Sequence, residues 1–463
     1  MSDTPLLKTL DHPMHDLTTR KGFLGILIAT VLAGGLSAQA TLIADAFGNG
    51  ADGTFSPTFN VTINTDTKAC LQFMSLSIPA GVTVFATGKK PLYIKVLGPC
   101  HIAGRIISNG GIAIASSNNR PGGAGGSSGA GAGVGGTGGA SMTARFNGTG
   151  SDGSGARPGI GGKSSGLIGG YFTDPNGGGG GGGNATAGAR GGLANGPNRI
   201  PDVSGLGGKA GVCRAGAGGG GGAGDIDSAT NPSVNDGGGG GGGGGGWLTI
   251  AAPSMTISGS ITCDGGAGGD SAGNGGGGGG GAGGCIDLVC QSTTLTGSLS
   301  AIGGSAGAAR QQNAGCSPGG SGGVGCINVY GAITGSGTST PTAKTHASIL
   351  VVNASCPLPV YVKTTTPTDK FMTGIGVIPL NPPWSSPWGL VCTVDDLFMI
   401  TLFAHTVPGF KNSNGTGPGT LELSVPSLSL PSVDAEILMQ ALTVNTSNKI
   451  TGISSCLKVL MKL

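Results

Sequence analysis

Charge is scarce in this chain. Lys, Arg, Asp and Glu together make up 10% of its 463 residues, against about 25% in an average soluble domain. The formal net charge is only +3. That excludes a charge-driven disordered chain, whose composition carries high net charge. It also supplies no basic field for nucleic acid. Aromatic residues are few, at 4%, and the five histidines (His12, His15, His101, His346 and His405) are scattered along the chain. No C-x2-C pair occurs, so the usual sequence signature of a zinc site is missing. Asp395 and Asp396 are adjacent, and adjacent strand residues point to opposite faces, which makes them a poor acid/base pair. Gly161-Gly162-Lys163-Ser164 looks like a phosphate loop, but the first glycine of that motif would fall at Arg157, so the spacing fails. No catalytic set emerges, and the expectation is of a protein without enzymatic activity.

Glycine is what the chain has instead. It supplies 102 residues, most of them between positions 101 and 330, where average usage is about 7%. Each glycine costs a helix about 1 kcal/mol relative to alanine, which excludes a long helical bundle. The middle of the chain cannot build an ordinary side-chain core. The flanks, about 41–107 and 345–463, can.

A repeat links the first flank to the glycine region. Ile102-Ala103-Gly104-Arg105-Ile106, Ile257-Ser258-Gly259-Ser260-Ile261 and Leu295-Thr296-Gly297-Ser298-Leu299 share one pattern, each followed at the same spacing by a glycine pair. Upstream of each lies an alternating apolar segment: Tyr93–Val96, Trp247–Ile250 and Ile286–Val289, with a shorter fourth copy at Ile327–Tyr330. Period-two alternation is a strand signal. The glycine of Ile-x-Gly-x-Ile leaves room for a turn or a close neighbour. Matching two-strand units suggest stacked β-solenoid rungs.

Long glycine runs interrupt these units: 177–183, 237–246 and 275–281. One reading is a flexible linker. The other is a set of polyglycine-II strands, left-handed extended chains that approach closely because they have no side chains. Such chains have no internal hydrogen bonds, so their backbone groups must find neighbours or water. The near absence of Ser, Glu and Lys from the runs, and their comparable lengths, favour the ordered form.

Arg20 and Lys21 precede a 14-residue apolar run, Phe23 to Leu36, and Ala38-Gln39-Ala40 follows as an A-x-A cleavage pattern. Residues 1–40 therefore read as a signal peptide, or as a retained N-terminal anchor. Export permits the eleven cysteines to oxidise: Cys70, Cys100, Cys213, Cys263, Cys285, Cys290, Cys316, Cys326, Cys356, Cys392 and Cys456. All are candidate disulfide cysteines. Their number is odd, so at least one stays reduced or pairs between chains.

After about residue 337 the glycine content drops, and some seven short strand-like runs separated by Pro, Asn and Gly suggest a β-sandwich over 345–463. Asn381 to Gly389 is a proline-stiffened loop carrying Trp384 and Trp388. Their rings are the candidate contact for a cell-surface glycan or other partner; the alternative is that both fill the sandwich core. No metal ligand set is expected. Calcium alone stays open, at the single G-G-x-G-x-D match Gly265 to Asp270 and at the acidic loop Asp45…Asp52. No other cofactor is expected.

Phe47-Gly48-Asn49-Gly50-Ala51-Asp52-Gly53, the segment Ser77 to Val84, the strand Tyr93 to Val96 and the Ile-x-Gly-x-Ile…Gly-Gly unit together resemble glycine-rich fibre and surface proteins. These include phage tail-fibre adhesins with polyglycine-II cores and secreted bacterial surface proteins of similar design. The resemblance spans about residues 42–335 and implies a binding or structural role outside a cell. The signal-like N-terminus departs from the phage pattern.

The expected fold is all-β: short β-solenoid rungs with inserted glycine-rich polyglycine-II strands, plus a C-terminal β-sandwich. The expected parts are 1–40, the signal or anchor; 41–111, the β-rich start of the solenoid; 112–337, the glycine-rich region; and 345–463, the sandwich. The expected function is an extracellular structural protein, cell-surface or filament-forming and self-associating. The alternative is an adhesin of a bacterium or a virion. Contact with membrane is expected only through the N-terminal segment, and none with nucleic acid.

Overall fold

A computed structural model of the chain describes residues 41–44, 47–116, 122–140, 148–163, 176–192, 204–224, 236–273, 275–310 and 316–346. Beyond these it describes the backbone of the strands between 350 and 462. Among the described residues there is no helix.

Strands β1 (Thr41–Ala44), β2 (Thr54–Phe55), β3 (Val61–Asn64), β4 (Cys70–Phe73), β5 (Ser75–Ile78), β6 (Thr83–Thr87), β7 (Leu92–Val96), β8 (Cys100–Ile102) and β9 (Arg105–Ile107) precede the glycine-rich middle. Then β10 (Trp247–Ile257), β11 (Ser260–Thr262), β12 (Cys285–Leu295), β13 (Ser298–Ser300), β14 (Cys326–Thr334), β15 (Thr338–Thr340) and β16 (Lys344–His346) alternate with its later segments. The last strands are β17 (Leu350–Asn353), β18 (Leu358–Lys363), β19 (Lys370–Gly376), β20 (Trp384–Ser386), β21 (Gly389–Val391), β22 (Gly419–Leu423), β23 (Ala435–Val444), β24 (Ile450–Ile453) and β25 (Leu457–Lys462).

The chain divides into two compact units. The larger comprises Ala44–Pro359, Glu422–Glu436 and Lys458–Leu463. It holds a nine-stranded sheet, ordered β16-β14-β12-β10-β8-β5-β2 with β4 and β7 alongside, and a six-stranded sheet ordered β15-β13-β11-β9-β6-β3. Their pairings are parallel, and the register is continuous except for a shift between Val289 and Ser292 where β12 pairs with β14. Leu92, Leu248, Ile286 and Ile327 stand in one row, and Ile94, Ile250, Leu288 and Val329 in the next. Ile106, Ile261 and Leu299 form the matching row of the second sheet. These rows meet in one buried cluster together with Leu76, Ile78, Val84 and Ile102. A parallel sheet stacks identical residue types when the sequence repeats, so the apolar face stays continuous. Between the two sheets the chain bends at the glycine of each Ile-x-Gly-x-Ile. A Cβ on Gly259 would meet the carbonyl oxygen of Gly104 at 1.8 Å, and one on Gly297 would meet that of Gly259 at 1.8 Å. Only hydrogen fits there.

The glycine segments pack against these sheets as a backbone lattice. Within 237–246, Gly238, Gly241 and Gly244 donate to the carbonyls of Gly139, Gly136 and Gly133. Gly239, Gly242 and Gly245 donate to Gly276, Gly279 and Ala282, whereas Gly240, Gly243 and Gly246 donate to Ile114, Gly111 and Ser108. Carbonyls of the same run accept from the segments 123–129, 216–222 and 266–269. Every third residue thus faces the same neighbour, which is the geometry of an extended helix with three residues per turn. The runs 177–183, 237–246 and 275–284 are buried throughout. Backbone groups are obligatory hydrogen-bonding groups, and here they satisfy one another.

The smaller unit comprises Met1–Ile43, Val360–Leu421 and Ile437–Leu457. In it β19 pairs antiparallel with β23, β23 with β24, and β20 with β21. In the larger unit β17 and β25 pair in parallel.

The expected fold class is therefore corrected. The described chain is all-β, but its frame is a pair of wide parallel sheets, not short β-solenoid rungs into which glycine strands are inserted; the glycine segments pack against those sheets. Its last strands pair in both directions, not as a β-sandwich. The reason is physical: alternation reports which side chains share a face and is silent on the direction and identity of the pairing partner. The alternating segments Tyr93–Val96 and Trp247–Ile250 pair with Tyr93 opposite Thr249.

Candidate functional site

Two features of the larger unit carry chemistry or present side chains in a regular way. The first lies where glycine runs enter the nine-stranded sheet. Strands β10, β12 and β14 begin with Trp247, Cys285 and Cys326, which stand in one row. Two residues on, and so on the same face, stand Thr249, Asp287 and Asn328. The intervening Leu248, Ile286 and Ile327 point to the opposite face, into the apolar core. Cys213, just before the run 216–224, packs onto the first row beside Ala185 and Ala215.

Cys213 and Cys326 form a disulfide across 113 residues, with Cα atoms 6.0 Å apart. The thiol of Cys285 lies 3.0 Å from Cys213 Sγ. The three sulfurs all lie within 4.8 Å of one another. Asp287 is fully buried. Its carboxylate accepts from Trp247 Nε1 at 2.8 Å and from Asn328 Nδ2 at 2.8 Å, and its Oδ1 is 3.6 Å from Cys285 Sγ. Charge-assisted bonds of this kind are what make a buried carboxylate tolerable. Asn184 closes the junction: its Nδ2 donates to the carbonyls of Arg214 and Gly283 at 2.6 and 2.8 Å, and its Oδ1 accepts from Arg214 N at 3.1 Å.

The second feature is the rim of the lattice. Along outer segments every third residue carries a side chain: Asp264, Ala267 and Asp270; Ile302, Ser305 and Ala308; Pro318, Ser321 and Val324. These are exposed or half-buried, whereas the glycines between them face neighbouring backbone. A Cβ on Gly266 would meet the oxygen of Gly111 at 1.9 Å, and one on Gly268 that of Gly278 at 2.1 Å. A rim segment has neighbours on two of its three faces, so one residue in three is free to vary. At one end of this rim Ser116, Asp270, Ser271, Ala308 and Arg310 line an open cavity of about 390 Å³.

The candidate residues of the sequence fall in different places. Trp384 begins β20 and pairs with Val391 of β21 through the backbone; Trp388 lies outside the described residues. Cys356, Cys392 and Cys456 lie outside them too, as do residues 1–40. Cys70 is disulfide-bonded. Cys100, Cys263, Cys285, Cys290 and Cys316 are buried and are not in disulfides. Burial, with a smaller contribution from nearby Cys290, pushes the Cys100 thiol up to about 12. Burial first, then the charges of Asp264 and Asp287, pushes the Cys263 thiol up as well. For Cys290 burial raises the thiol, and its hydrogen bond with Thr293 partly offsets this. Such thiols are poor nucleophiles. In the single calcium-type motif, the Asp270 carboxylate accepts from Ala308 N at 2.7 Å, within the lattice. Asp52 of the acidic loop is paired with Lys68 and accepts from Gln72 N at 2.7 Å. His101 is exposed on β8.

Sequence reasoning missed the junction, although a signal was present. Cys285-Ile286-Asp287 and Cys326-Ile327-Asn328 are one tripeptide pattern in two copies, each at the end of a glycine run. The Gly-Gly-x triplets of the rim were a second unread signal. No protein-family model matches the chain, and no curated protein or solved structure matches it.

Proposed function

We propose that this chain is a non-enzymatic structural protein working outside the cell, a self-associating component of a cell surface or filament. The observation that supports this reading best is the glycine lattice. A segment bonded to six neighbours through its backbone has little freedom to flex, and rigidity of that kind suits a structural part. The disulfide between Cys213 and Cys326 adds a covalent tie between lattice and sheet. Export is supported by the segment Arg20 to Ala40.

Electron microscopy of the purified protein is the direct test. Ordered homopolymers are the expected result. Monodisperse single particles at all concentrations would overturn it. Mass spectrometry of the mature N-terminus tests export separately, with Thr41 expected as the first residue; an intact Met1 would point to a virion component. One observation favours a second reading, an adhesin. The rim presents side chains at regular three-residue spacing, and such positions can vary without disturbing the lattice. Binding of the protein to cells or glycan arrays, lost on Trp384→Ala with Trp388→Ala, would favour that reading over the structural one.

A further inference from the structure

The junction holds one more sulfur than its disulfide uses. Cys285 and Cys326 are cross-strand neighbours on β12 and β14, so Cys213 faces two equivalent positions one strand apart. Its own sulfur is bonded to Cys326 and lies 3.0 Å from that of Cys285. The Asp287 carboxylate lies 3.6 Å from Cys285 Sγ, and two hydrogen bonds, from Trp247 and Asn328, hold it there. We propose that this junction is a thiol–disulfide exchange site, in which Cys213 bonds alternately to Cys326 and to Cys285.

The step balances without any added oxidant. Cys285 gives its proton to Asp287 and becomes a thiolate. The thiolate attacks Cys213 Sγ, a new bond forms between Cys285 and Cys213, and the bond between Cys213 and Cys326 breaks. The electron pair leaves on Cys326, which then takes up a proton. One disulfide and one thiol are present before and after. Chain order gives the exchange a use. Cys285 precedes Cys326, so a bond from Cys213 to Cys285 can tie the run 216–224 to β12 before β14 is in place. When β14 docks beside β12, exchange hands the bond on to Cys326.

Peptide mapping of the native full-length protein tests this. The protein is quenched in acid, which stops exchange, digested with pepsin and mapped by mass spectrometry under non-reducing conditions. The expected result is a main Cys213–Cys326 peptide with a Cys213–Cys285 peptide at about one molecule in a hundred or more, the range of a minor conformer. In Cys326→Ser the Cys213–Cys285 peptide becomes the main species. A wild-type map showing Cys213–Cys326 alone overturns the proposal, whether or not the variant folds. So does a folded Cys326→Ser protein in which Cys213 and Cys285 both remain reduced. A third result would also overturn it: stoichiometric uptake of Co²⁺ by the native protein as purified, with a thiolate charge-transfer band that requires all three cysteines. That would make the cluster a metal site.

Discussion

Gly243 lies in the run 237–246, and a Cβ built on it would meet the carbonyl oxygen of Ser127 at 1.8 Å. The obstacle is backbone, fixed by its own hydrogen bonds, and cannot rotate away. Gly243→Ala is therefore expected to destabilise the protein by roughly 1–3 kcal/mol, as overpacking does, read from the midpoint of denaturant unfolding. Ser321→Ala on the rim, where the side chain is exposed, should stay within about 0.5 kcal/mol of the wild type. Equal losses in the two variants would argue against the lattice. Buried thiols give a second residue-scale prediction. Cys100 and Cys263 have thiols raised by burial, so the folded state favours their protonated form. Their stabilising contribution is complete below the ordinary thiol value near 8.5 and is lost as pH rises above it. Stability should fall by roughly 1.4 kcal/mol per pH unit per thiol above about pH 8.5, measured by unfolding at pH 8 and pH 10. In the folded protein at pH 8 neither should react with N-ethylmaleimide, and both should react once it is denatured.

For an element, phase matters more than length. The segment Pro318 to Val324 carries side chains at every third position, and β14 fixes its far end at Cys326. One glycine inserted between Gly322 and Gly323 would move Ser321 back into the place of Gly320. There a Cβ meets the carbonyl oxygen of Ala189 at 2.1 Å. Inserting Gly-Ser-Gly at the same point adds a full turn, moves Ser321 to the outward place of Pro318 and puts the new serine in the outward place of Ser321. The single insertion is therefore expected to cost clearly more stability than the triple one, by several kcal/mol if a few backbone hydrogen bonds of about 1 kcal/mol each are lost with it. Thermal unfolding of the two variants side by side checks this. The same argument explains why the central runs are pure glycine: a segment with neighbours on all sides has no outward position in its turn.

Across the whole molecule, the lattice predicts slow amide exchange where a flexible glycine linker would exchange fast. Amides of 238–246 and 276–284 donate to backbone carbonyls in buried surroundings. Hydrogen exchange followed by mass spectrometry should show protection there comparable with that of β10 and β12, because such amides exchange only on opening. Exchange at the rate of an unstructured peptide would leave the two sheets joined by a loose chain and remove the basis of a structural role. With so few charges, stability should also respond little to salt, since there are few exposed pairs to screen.

Much of the apolar framework was legible in the sequence. Alternation and repeat placed Ile102, Ile257 and Leu295, and likewise Ile106, Ile261 and Leu299, in matching positions, and the structure stacks each set in register. Local chemistry suffices for that, since a period of two assigns faces and a glycine between branched residues marks a bend. Tertiary structure alone decided that the strands run parallel in two wide sheets, that Tyr93 meets Thr249, and that Cys213 reaches across 113 residues to Cys326 beside Cys285. Partners so distant are chosen by the fit of assembled elements, and a run of glycine contains no side chain to announce which backbone it will bond.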